Sequence, residues 1–504
     1  MKKKNKFWYI LTALIFGIGA LIGVVAGWIA KNFTTGIQEI LFTVNTIDGG
    51  NTDVVAAGFK DCLPVVLVVW AVIIAVMILD YKKRIQIVLT GKILGISCKI
   101  RFSKWLRIIS IFISLLCVPW SLSALDDALH ISDYYRLKDS LTEIYDTHYV
   151  SPDTVEITAK QKPKNLVLIY LESMETGYAS VEEGGVQNVN LIPNLTAMAK
   201  ENVSFSNHDK LGGFVSMTGT TWTVGALYAS VSGVPFAFDV ESNGMNQKKY
   251  FAPGIQTLGD VLEEKGYVQE FLCGSDAKFG GRDKLYKQHG NHKIFDLFTA
   301  RKKEYIPSDY YVWWGYEDKI LYDIAKDELT NLSKSGKPFS LSMLTVDTHF
   351  TDGYVCDICD TTYETVAENV VTCADRQIEA FMNWCEQQPF YEDTVFVIVG
   401  DHPRMDVCLT GHLPYSERAM YNCFINAVPP KPENTQNRMF TTMDLFPTVL
   451  SAMGYRIENE QLGLGVNMFS GAPTLLETMG YSVLNEEFSK KSIYYQAKFD
   501  FAQE

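Results

Sequence analysis

Three apolar segments of the sequence each end in side chains that can bind a metal ion. They are residues 165–171, followed by Glu172; residues 339–346, followed by Asp347, Thr348 and His349; and residues 395–400, followed by Asp401 and His402. Carboxylate oxygens and imidazole nitrogens are common protein ligands of Mn²⁺, Mg²⁺ and Zn²⁺. Each residue alone is more typical of a helix cap or a surface charge. Together they predict a divalent-metal site if the three segment ends meet in the fold.

The spacing of apolar segments indicates the elements that would bring these side chains together. The three segments, and a fourth at 268–273, are short and nearly continuous in apolar residues, which is typical of central parallel strands. Helical patterns at 194–200, 255–265, 318–333 and 373–388 alternate with them. Such alternation predicts an α/β fold with a mostly parallel sheet. Because ligands bind beyond the carboxyl ends of parallel strands, the metal-binding motifs should share one edge.

A threonine-rich loop at residues 218–223 supplies candidate nucleophiles. It precedes an apolar helical segment, residues 224–232. A hydroxyl at the start of a helix is usually an N-cap. A helix N-terminus also binds anions, and a nearby metal ion can lower the pKa of a hydroxyl and activate it. The candidate hydroxyls in this loop belong to Thr218, Thr220, Thr221 and Thr223.

The first 125 residues differ from the rest of the chain because long uncharged apolar runs dominate them. We predict three transmembrane helices at about 7–30, 62–79 and 108–124, each close to the length that spans a bilayer. Lysines and arginines concentrate before the first run and between residues 82 and 107, so both segments should be cytoplasmic. The 31–61 loop and the chain beyond 125 should then lie outside. The predicted divisions are a membrane domain at 1–125, a juxtamembrane linker at 126–163, a catalytic domain at 164–480 and a C-terminal tail at 481–504.

Charge and cysteine content narrow the function classes. The net charge of −13 argues against general nucleic-acid binding, which requires a basic surface. The ten cysteines form no zinc-finger pattern. Cys356, Cys359 and Cys373 lie in polar sequence that we place outside the cytoplasm, which favours a local disulfide over a metal site. Their pairing stays open at this stage.

Several short motifs occur in an order that resembles a known enzyme group. They are Leu171-Glu172-Ser173, Gly219-Thr220-Thr221-Trp222-Thr223 and Gly400-Asp401-His402, with support from Pro193-Asn194-Leu195, Phe279-Gly280-Gly281-Arg282, Trp314-Gly315 before Asp318, and residues 442–448. This order resembles the lipoteichoic acid synthase and phosphoglycerol transferase group. That group belongs to the sulfatase-like branch of the alkaline phosphatase superfamily. The resemblance covers about residues 164–455 and implies an alkaline-phosphatase-like α/β/α domain.

The resemblance also implies residue roles. Glu172, Thr220, Asp401 and His402 would bind one metal ion, Mn²⁺, with Mg²⁺ or Zn²⁺ as alternatives. Thr220 would be the nucleophile that attacks a phosphatidylglycerol donor, with Thr218, Thr221 and Thr223 as alternative positions. The implied substrate-binding set is His349, which could also transfer a proton, together with Arg282, Asp276 and Trp222. The acceptor would be a cell-envelope glycan or glycolipid at the outer face of a bacterial membrane.

Three alternatives stay open. A phosphoethanolamine transferase has the same layout and a threonine nucleophile, although it usually works with zinc and additional histidines. Another sulfatase-like phosphodiesterase is the second alternative. From a different class, a non-catalytic membrane sensor or scaffold would be expected to lose at least one of Glu172, Thr220, Asp401 and His402, and all four are present.

Overall fold

The computed structural model describes residues 2–33, 52–81, 88–93, 96–159, 161–238, 240 and 244–500. The chain forms two compact units, which divide near Tyr134. The smaller, N-terminal unit contains the apolar region, and the larger unit contains the predicted catalytic domain. We describe each unit by itself.

The N-terminal unit contains three long helices, Lys2–Asn32, Thr52–Tyr81 and Phe102–Leu129. Each has an apolar stretch long enough to cross a membrane, at Ile10–Asn32, Ala56–Ala75 and Ile111–Leu129. The predicted spans at 7–30, 62–79 and 108–124 lie within these helices. An antiparallel hairpin pairs Val88–Ile93 with Ile96–Arg101. Parts of the predicted outer loop (34–51) and of the predicted cytoplasmic loop (82–87 and 94–95) lie outside the described residues.

The larger unit is built on a six-stranded sheet. In chain order its strands are β1 (Asn165–Leu171), β2 (Val268–Cys273), β3 (Lys293–Phe295), β4 (Phe339–Leu344), β5 (Thr394–Gly400) and β6 (Asn422–Ile425). The spatial order is β6-β5-β1-β4-β2-β3. All neighbouring pairs are parallel except β6, which is antiparallel to β5. The predicted mostly parallel α/β sheet is therefore confirmed.

The strand register places the predicted motifs at one edge of the sheet. Leu171 at the end of β1 lies opposite Gly400 at the end of β5. On the other side of β1, Tyr170 lies opposite Leu344 at the end of β4. The residues that follow these three strands, including Glu172 and Asp401, therefore lie at the same edge of the sheet.

Both faces of the sheet are buried, which explains the continuous apolar character of the strands. Along β1, alternate side chains enter two different cores. Val167, Ile169 and Leu171 pack into one core and Leu166, Leu168 and Tyr170 into the other. Each fully buried aliphatic side chain contributes about 1.5–3 kcal/mol, so both cores hold the strand ends in register.

Helices cover both faces of this sheet. Among the described residues from β1 to Ala452, the helices of six or more residues are Pro193–Glu201, Thr223–Ser232, Leu258–Glu264, Arg282–Gln288, Leu297–Lys302, Asp318–Ser333, Val366–Glu386 and Leu445–Ala452. Two of them begin at capping boxes formed by Thr257 and Thr365, whose hydroxyls satisfy exposed helix N–H groups. The helix predicted at 373–388 begins earlier, at Val366, because its cap is Thr365.

The structured unit extends beyond the predicted 164–480 boundaries. In the predicted linker, Ile144–His148 is helical and Ile157–Ala159 pairs with Tyr455–Ile457. In the predicted tail, Tyr481–Ser489 and Ile493–Tyr495 are helical, and residues 501–504 lie outside the described residues. Tyr145, Leu484, Phe488, Tyr495 and Phe499 are buried in the core that also contains Leu166. Apolar side chains in both segments explain this packing.

Candidate functional site

Glu172 lies in the turn that follows β1, and its side chain is buried. Its backbone N–H donates to the Thr345 hydroxyl at 3.0 Å, and its carbonyl oxygen accepts from the Thr348 hydroxyl at 2.5 Å. These bonds attach the turn to the residues that follow β4. One carboxylate oxygen, Oε1, accepts from the Ser173 hydroxyl at 2.9 Å. Ser173 has a φ of 52°, so the chain turns sharply and keeps Glu172 at the strand end.

Asp401 and His402 follow β5, beside Glu172. Gly400 permits this position, because a Cβ there would lie 2.0 Å from the Met174 carbonyl oxygen. Asp401 Oδ1 accepts backbone N–H bonds from Ser173 at 2.7 Å and from His402 at 2.8 Å. The second oxygen, Oδ2, is buried and has no hydrogen-bond partner among the described residues. A buried carboxylate oxygen without a donor is a position that a cation can satisfy.

The hydrogen bonding of His402 determines which ring nitrogen can bind a metal. Nδ1 lies 2.9 Å from the Pro403 carbonyl oxygen, which can only accept, so Nδ1 carries a hydrogen. In the neutral ring Nε2 therefore has the free lone pair. Nε2 lies 3.3 Å from Glu172 Oε1 and 3.5 Å from Asp401 Oδ2. A histidine that donates one ring N–H to a carbonyl while the other nitrogen faces carboxylates is typical of metal ligation.

Charge interactions in this cluster are strong because all three side chains are buried. Burial lowers the pKa of the His402 imidazole, but Asp401 and Glu172 outweigh burial and raise it. Burial raises the pKa of Asp401, and the charge of Glu172 raises it further. Burial also disfavours ionised Glu172, but His402 and His349 hold its pKa below the ordinary value. The two buried carboxylates therefore favour positive charge at this position, either a protonated His402 or a metal ion bound to its neutral ring.

The donor set fits a divalent cation. The ligand atoms of Glu172, Asp401 and His402 lie within 4.8 Å of one another. Two carboxylates and one imidazole suit Mn²⁺, Mg²⁺ or Zn²⁺. The partnerless Asp401 Oδ2 and the available lone pair on His402 Nε2 support the same assignment.

The hydroxyl of Thr223 contacts this cluster. Its Oγ1 lies 3.2 Å from His402 Nε2 and 3.4 Å from Glu172 Oε2. Thr223 is the first residue of the helix Thr223–Ser232, and Trp222 occupies the N-cap position. The hydroxyl therefore lies at the positive end of a helix, where the dipole and free N–H groups stabilise negative charge.

The predicted nucleophile, Thr220, has a different environment. Its Oγ1 donates to the Met217 carbonyl oxygen at 3.0 Å and accepts from the Met217 N–H at 2.8 Å. Its side chain is fully buried. These bonds close the turn before the helix, so the Thr220 hydroxyl has a structural partner on each side. The geometry favours Thr223, one of the alternative positions, over Thr220.

The loop that leads to Thr223 is tied to the C-terminal helix Tyr481–Ser489. The Thr218 N–H donates to Asn485 Oδ1 at 2.7 Å. The Thr218 hydroxyl lies 3.2 Å from the same oxygen and 2.9 Å from Ser489 Oγ. A segment that the sequence suggested was a tail therefore helps to position the threonine loop.

His349 lies beside the cluster, as the motif order suggested. Its Nδ1 lies 2.6 Å from the Phe350 carbonyl oxygen, so Nδ1 carries a hydrogen and Nε2 is the free position of the neutral ring. Burial lowers the pKa of His349, and the charge of Glu172 opposes this shift. The imidazole is therefore mainly neutral near pH 7 and can accept a proton at Nε2.

Arg282 is held by main-chain and hydroxyl oxygens near the end of β2. Its Nη2 donates to Ser275 Oγ at 3.0 Å and to the Asp276 carbonyl oxygen at 2.8 Å, and its Nε donates to the Phe279 carbonyl oxygen at 3.1 Å. Asp276, which the resemblance placed in the substrate-binding set, therefore orients Arg282 through its backbone carbonyl. Its carboxylate accepts the Lys278 N–H instead.

Trp222 was predicted to contact substrate. The structure buries this side chain, with its ring 5.5 Å from that of Phe236. It precedes the helix that carries Thr223 and packs beneath its first turn, where Gly225 leaves room for the ring. This placement suits a residue that positions Thr223 more than one that contacts substrate.

Sequence reasoning missed a buried charged frame behind the Asp401-His402 turn. The Glu175 carboxylate accepts from Arg418 Nε at 2.8 Å and from the Arg404 N–H at 3.0 Å. Arg404 Nε donates to Asp406 at 2.6 Å, and its Nη1 donates to the Thr348 carbonyl oxygen at 2.9 Å. The frame thus joins the residues after β1, β4 and β5. Glu175 and Arg418 are 243 positions apart, and no local pattern indicates their pairing.

Comparison with known proteins adds an independent finding. The sequence model of the sulfatase family matches residues 164–455. The chain belongs to the sulfatase family. The predicted family and its α/β fold are therefore confirmed, and the matched residues include β1 to β6 and the Glu172–Asp401–His402 cluster.

Individual relatives of this sulfatase family member are also known. Phosphoglycerol transferase I of Escherichia coli O139:H28 (strain E24377A / ETEC) is 32% identical over 316 residues, which are 61% of this chain and 39% of that protein. Phosphoglycerol transferase I of Shigella boydii serotype 18 (strain CDC 3083-94 / BS512) gives the same values. The chain therefore spans about two fifths of the length of these curated relatives.

Solved structures show weaker similarity. The lipoteichoic acid synthase LtaP from Listeria monocytogenes is 19% identical with a TM-score of 0.47, and the alignment covers 67% of this chain and 81% of that one. An alkaline phosphatase superfamily protein from Vibrio parahaemolyticus is 24% identical with a TM-score of 0.45, and the alignment covers 61% and 71% of the two chains.

Proposed function

We propose that this sulfatase family member is a membrane-bound, metal-dependent phosphoglycerol transferase. It takes glycerol phosphate from phosphatidylglycerol, carries it on Thr223, and passes it to a glycan or glycolipid of the bacterial cell envelope. The observation that carries the proposal is the position of the Thr223 hydroxyl, within 3.4 Å of both Glu172 and His402 at a helix N-terminus. The 32% identity to proteins named phosphoglycerol transferase I supports the choice of the group transferred.

The metal ion in this proposal is held by Glu172, Asp401 and His402, with Thr223 beside them. Mn²⁺ is our first choice, and Mg²⁺ and Zn²⁺ are the alternatives. When bound, such an ion supplies positive charge that lowers the pKa of a neighbouring hydroxyl and stabilises phosphate oxygens.

In the first step the Thr223 oxygen attacks the phosphorus of the lipid and a new P–O bond forms. The bond between phosphorus and the diacylglycerol oxygen breaks, and that oxygen gains the proton that Thr223 loses. His349 is the candidate carrier of this proton, because its Nε2 is the free ring position. In the second step the acceptor hydroxyl attacks phosphorus, the Thr223 oxygen leaves, and the proton that the acceptor hydroxyl loses passes to Thr223. Charge stabilisation and in-line positioning dominate catalysis of this kind.

Orientation and location follow from the charge pattern. The basic segments before residue 7 and between residues 82 and 107 support an N-terminus inside the cell. With three membrane crossings, the Thr223 site would lie at the outer face, where phosphatidylglycerol of the outer leaflet and envelope glycans are available. The lipid bilayer is thus both the anchor and the source of the donor.

The test is diacylglycerol release from fluorescent phosphatidylglycerol by the full-length protein in detergent with Mn²⁺. We expect Thr223→Ala to abolish release and Thr220→Ala to retain it, with thermal melting used to confirm that both variants fold. The opposite pattern would restore Thr220 as the nucleophile. Release from phosphatidylethanolamine but not from phosphatidylglycerol would identify a phosphoethanolamine transferase, and no release from either lipid would reject the proposal.

A further inference from the structure

A pair of adjacent tryptophans lies at the edge of the site. The Trp314 ring centroid is 4.7 Å from that of His349 and 5.6 Å from that of Phe279. The Arg282 guanidinium lies 5.7 Å from the centre of the Phe279 ring. Aromatic side chains therefore connect His349 and Arg282, the two residues for which the family resemblance implies substrate binding.

Trp313 faces a different neighbour. Its ring is nearly parallel to that of Tyr354, with an interplanar angle of 26° and centroids 6.5 Å apart. Trp313, Trp314 and Tyr354 are all partly exposed. The indole nitrogen of Trp313 is buried and has no hydrogen-bond partner among the described residues. The pair thus presents aromatic surface that the described part of the chain leaves uncovered.

The turn that carries the two tryptophans is held in an unfavourable conformation. Trp313 has a φ of 52°, in a region that bulky residues rarely adopt. The Val312 and Gly315 backbones exchange two hydrogen bonds, of 2.9 and 2.8 Å, around the pair. Gly315 packs against the end of β2, where a Cβ would lie 2.1 Å from the Gly274 carbonyl oxygen. Strained residues that the fold holds in place concentrate at ligand sites.

The charges around the aromatic surface restrict the chemical class of ligand that can bind there. Glu317 and Asp357 act electrostatically on the Tyr354 hydroxyl, and Asp352 is exposed in the same loop. These carboxylates would repel a polyanionic chain and are unsuitable neighbours for lipid acyl chains. A neutral sugar ring fits both features, because its C–H faces stack on the negative faces of aromatic rings and its hydroxyls can donate to carboxylates.

We propose that Trp313, Trp314 and Tyr354 bind an uncharged sugar ring of the acceptor next to Thr223. This inference rests on the proposed transferase function and names the class of acceptor. In this scheme the turn that contains Trp313 and Trp314 binds the acceptor. Thr223 and the metal-binding residues cleave the donor.

A binding measurement tests the inference without turnover. Saturation-transfer NMR of a neutral glucose tetrasaccharide with the full-length Thr223→Ala protein in detergent should show contact. Trp313→Ala and Tyr354→Ala, each combined with Thr223→Ala, should reduce the signal, and Trp313→Phe should retain it. Tyr250→Ala is the matched control, because Tyr250 is an exposed aromatic residue outside this loop. No contact in the parent, or equal contact in all variants, would overturn the inference.

A kinetic measurement separates this inference from the proposed function. With a glucose-containing glycolipid as acceptor, Trp313→Ala should raise KM for the acceptor about tenfold, as expected for loss of one stacking contact. Diacylglycerol release without acceptor should stay within about twofold of the parent, because water replaces the sugar. Equal loss of both activities in a folded variant would assign the tryptophans to the donor and overturn the inference. Loss of diacylglycerol release in the parent would instead overturn the proposed function.

Discussion

Thr223 Oγ1 lies 3.2 Å from Nε2 of His402, although the two residues are 179 positions apart in the chain. Nδ1 of the same imidazole donates to the Pro403 carbonyl, which fixes the ring with Nε2 towards the hydroxyl. The contact thus depends on the end of β5 and the start of the helix Thr223–Ser232 being held together. It also suggests a substitution that separates the structural role of His402 from metal binding.

His402→Asn should remove metal binding while keeping the local fold. The asparagine amide can still donate to the Pro403 carbonyl, but nothing replaces Nε2. A metal ion that binds the folded state stabilises it, so Mn²⁺ should raise the melting temperature of the parent. We expect this rise to disappear in His402→Asn and to persist in His148→Asn, a control at an exposed histidine. EDTA should abolish diacylglycerol release by the parent, and Mn²⁺ should restore it.

Gly400→Ala should damage both stability and activity. The new Cβ would lie 2.0 Å from the Met174 carbonyl oxygen, so the turn carrying Asp401 must move. We expect a loss of about 2–4 kcal/mol in the free energy of unfolding, measured by denaturant titration. Gly336→Ala is the control, because its Cβ meets no atom within 4 Å and its φ of 70° should cost only about 1 kcal/mol. Similar losses in both variants would contradict a packing role for Gly400.

The three cysteines near His349 should contain one defined disulfide. Cys359 is bonded to Cys373, and the Cys356 sulfur lies 3.4 Å from that of Cys359. Peptide mapping without reduction should recover the Cys359–Cys373 bridge from the parent and from Cys356→Ser. Loss of this bridge in Cys359→Ser should cost about 3 kcal/mol, because it closes a loop of about 15 residues. A Cys356–Cys359 bridge in the parent would contradict the assignment.

Asp347 should make stability fall as pH rises. Burial and the nearby Asp318 raise the pKa of Asp347 well above its ordinary value. The folded state therefore keeps a proton that the unfolded chain releases near pH 4, so stability is highest at low pH and decreases up to the raised pKa. We expect Asp347→Asn, which is neutral at every pH, to reduce the loss of stability between pH 5 and pH 8. An unchanged difference in urea midpoint between these two pH values would show that Asp347 is ionised in the fold.

Much of the fold could be predicted from the sequence because its main strands are buried on both faces. The segments at 165–171, 268–273 and 395–400 are all strands, and the segment at 339–346 is a strand as far as Leu344. A continuous apolar run can be recognised from the local sequence alone, without knowledge of the tertiary contacts. The rule that parallel strands place ligands beyond their carboxyl ends then brought Glu172 and Asp401 together without any knowledge of the register.

The threonine loop was harder to interpret because four hydroxyls lie within six residues. Which hydroxyl faces the cluster depends on where the helix begins, and Trp222 at the N-cap position leaves Thr223 as the first helical residue. The bonds that occupy the Thr220 hydroxyl come from Met217 and depend on the shape of the turn. The role of the 481–500 segment was missed for a similar reason. Its few apolar residues form no clear pattern in the sequence, and their packing is seen only in the assembled core.

The bonds from Thr218 to Asn485 and Ser489 also bear on the order in which the protein can mature. Ribosomes make a chain from its N-terminus, so β1, the threonine loop and the Asp401-His402 turn all emerge before residue 485. The loop before Thr223 cannot gain this support until more than 260 further residues have been made, as the separation of 267 positions between Thr218 and Asn485 shows. A nascent chain that already contains Glu172, Asp401 and His402 would therefore still lack the contact that steadies the loop before Thr223. On the proposed function, this would limit premature reaction with membrane lipid during synthesis.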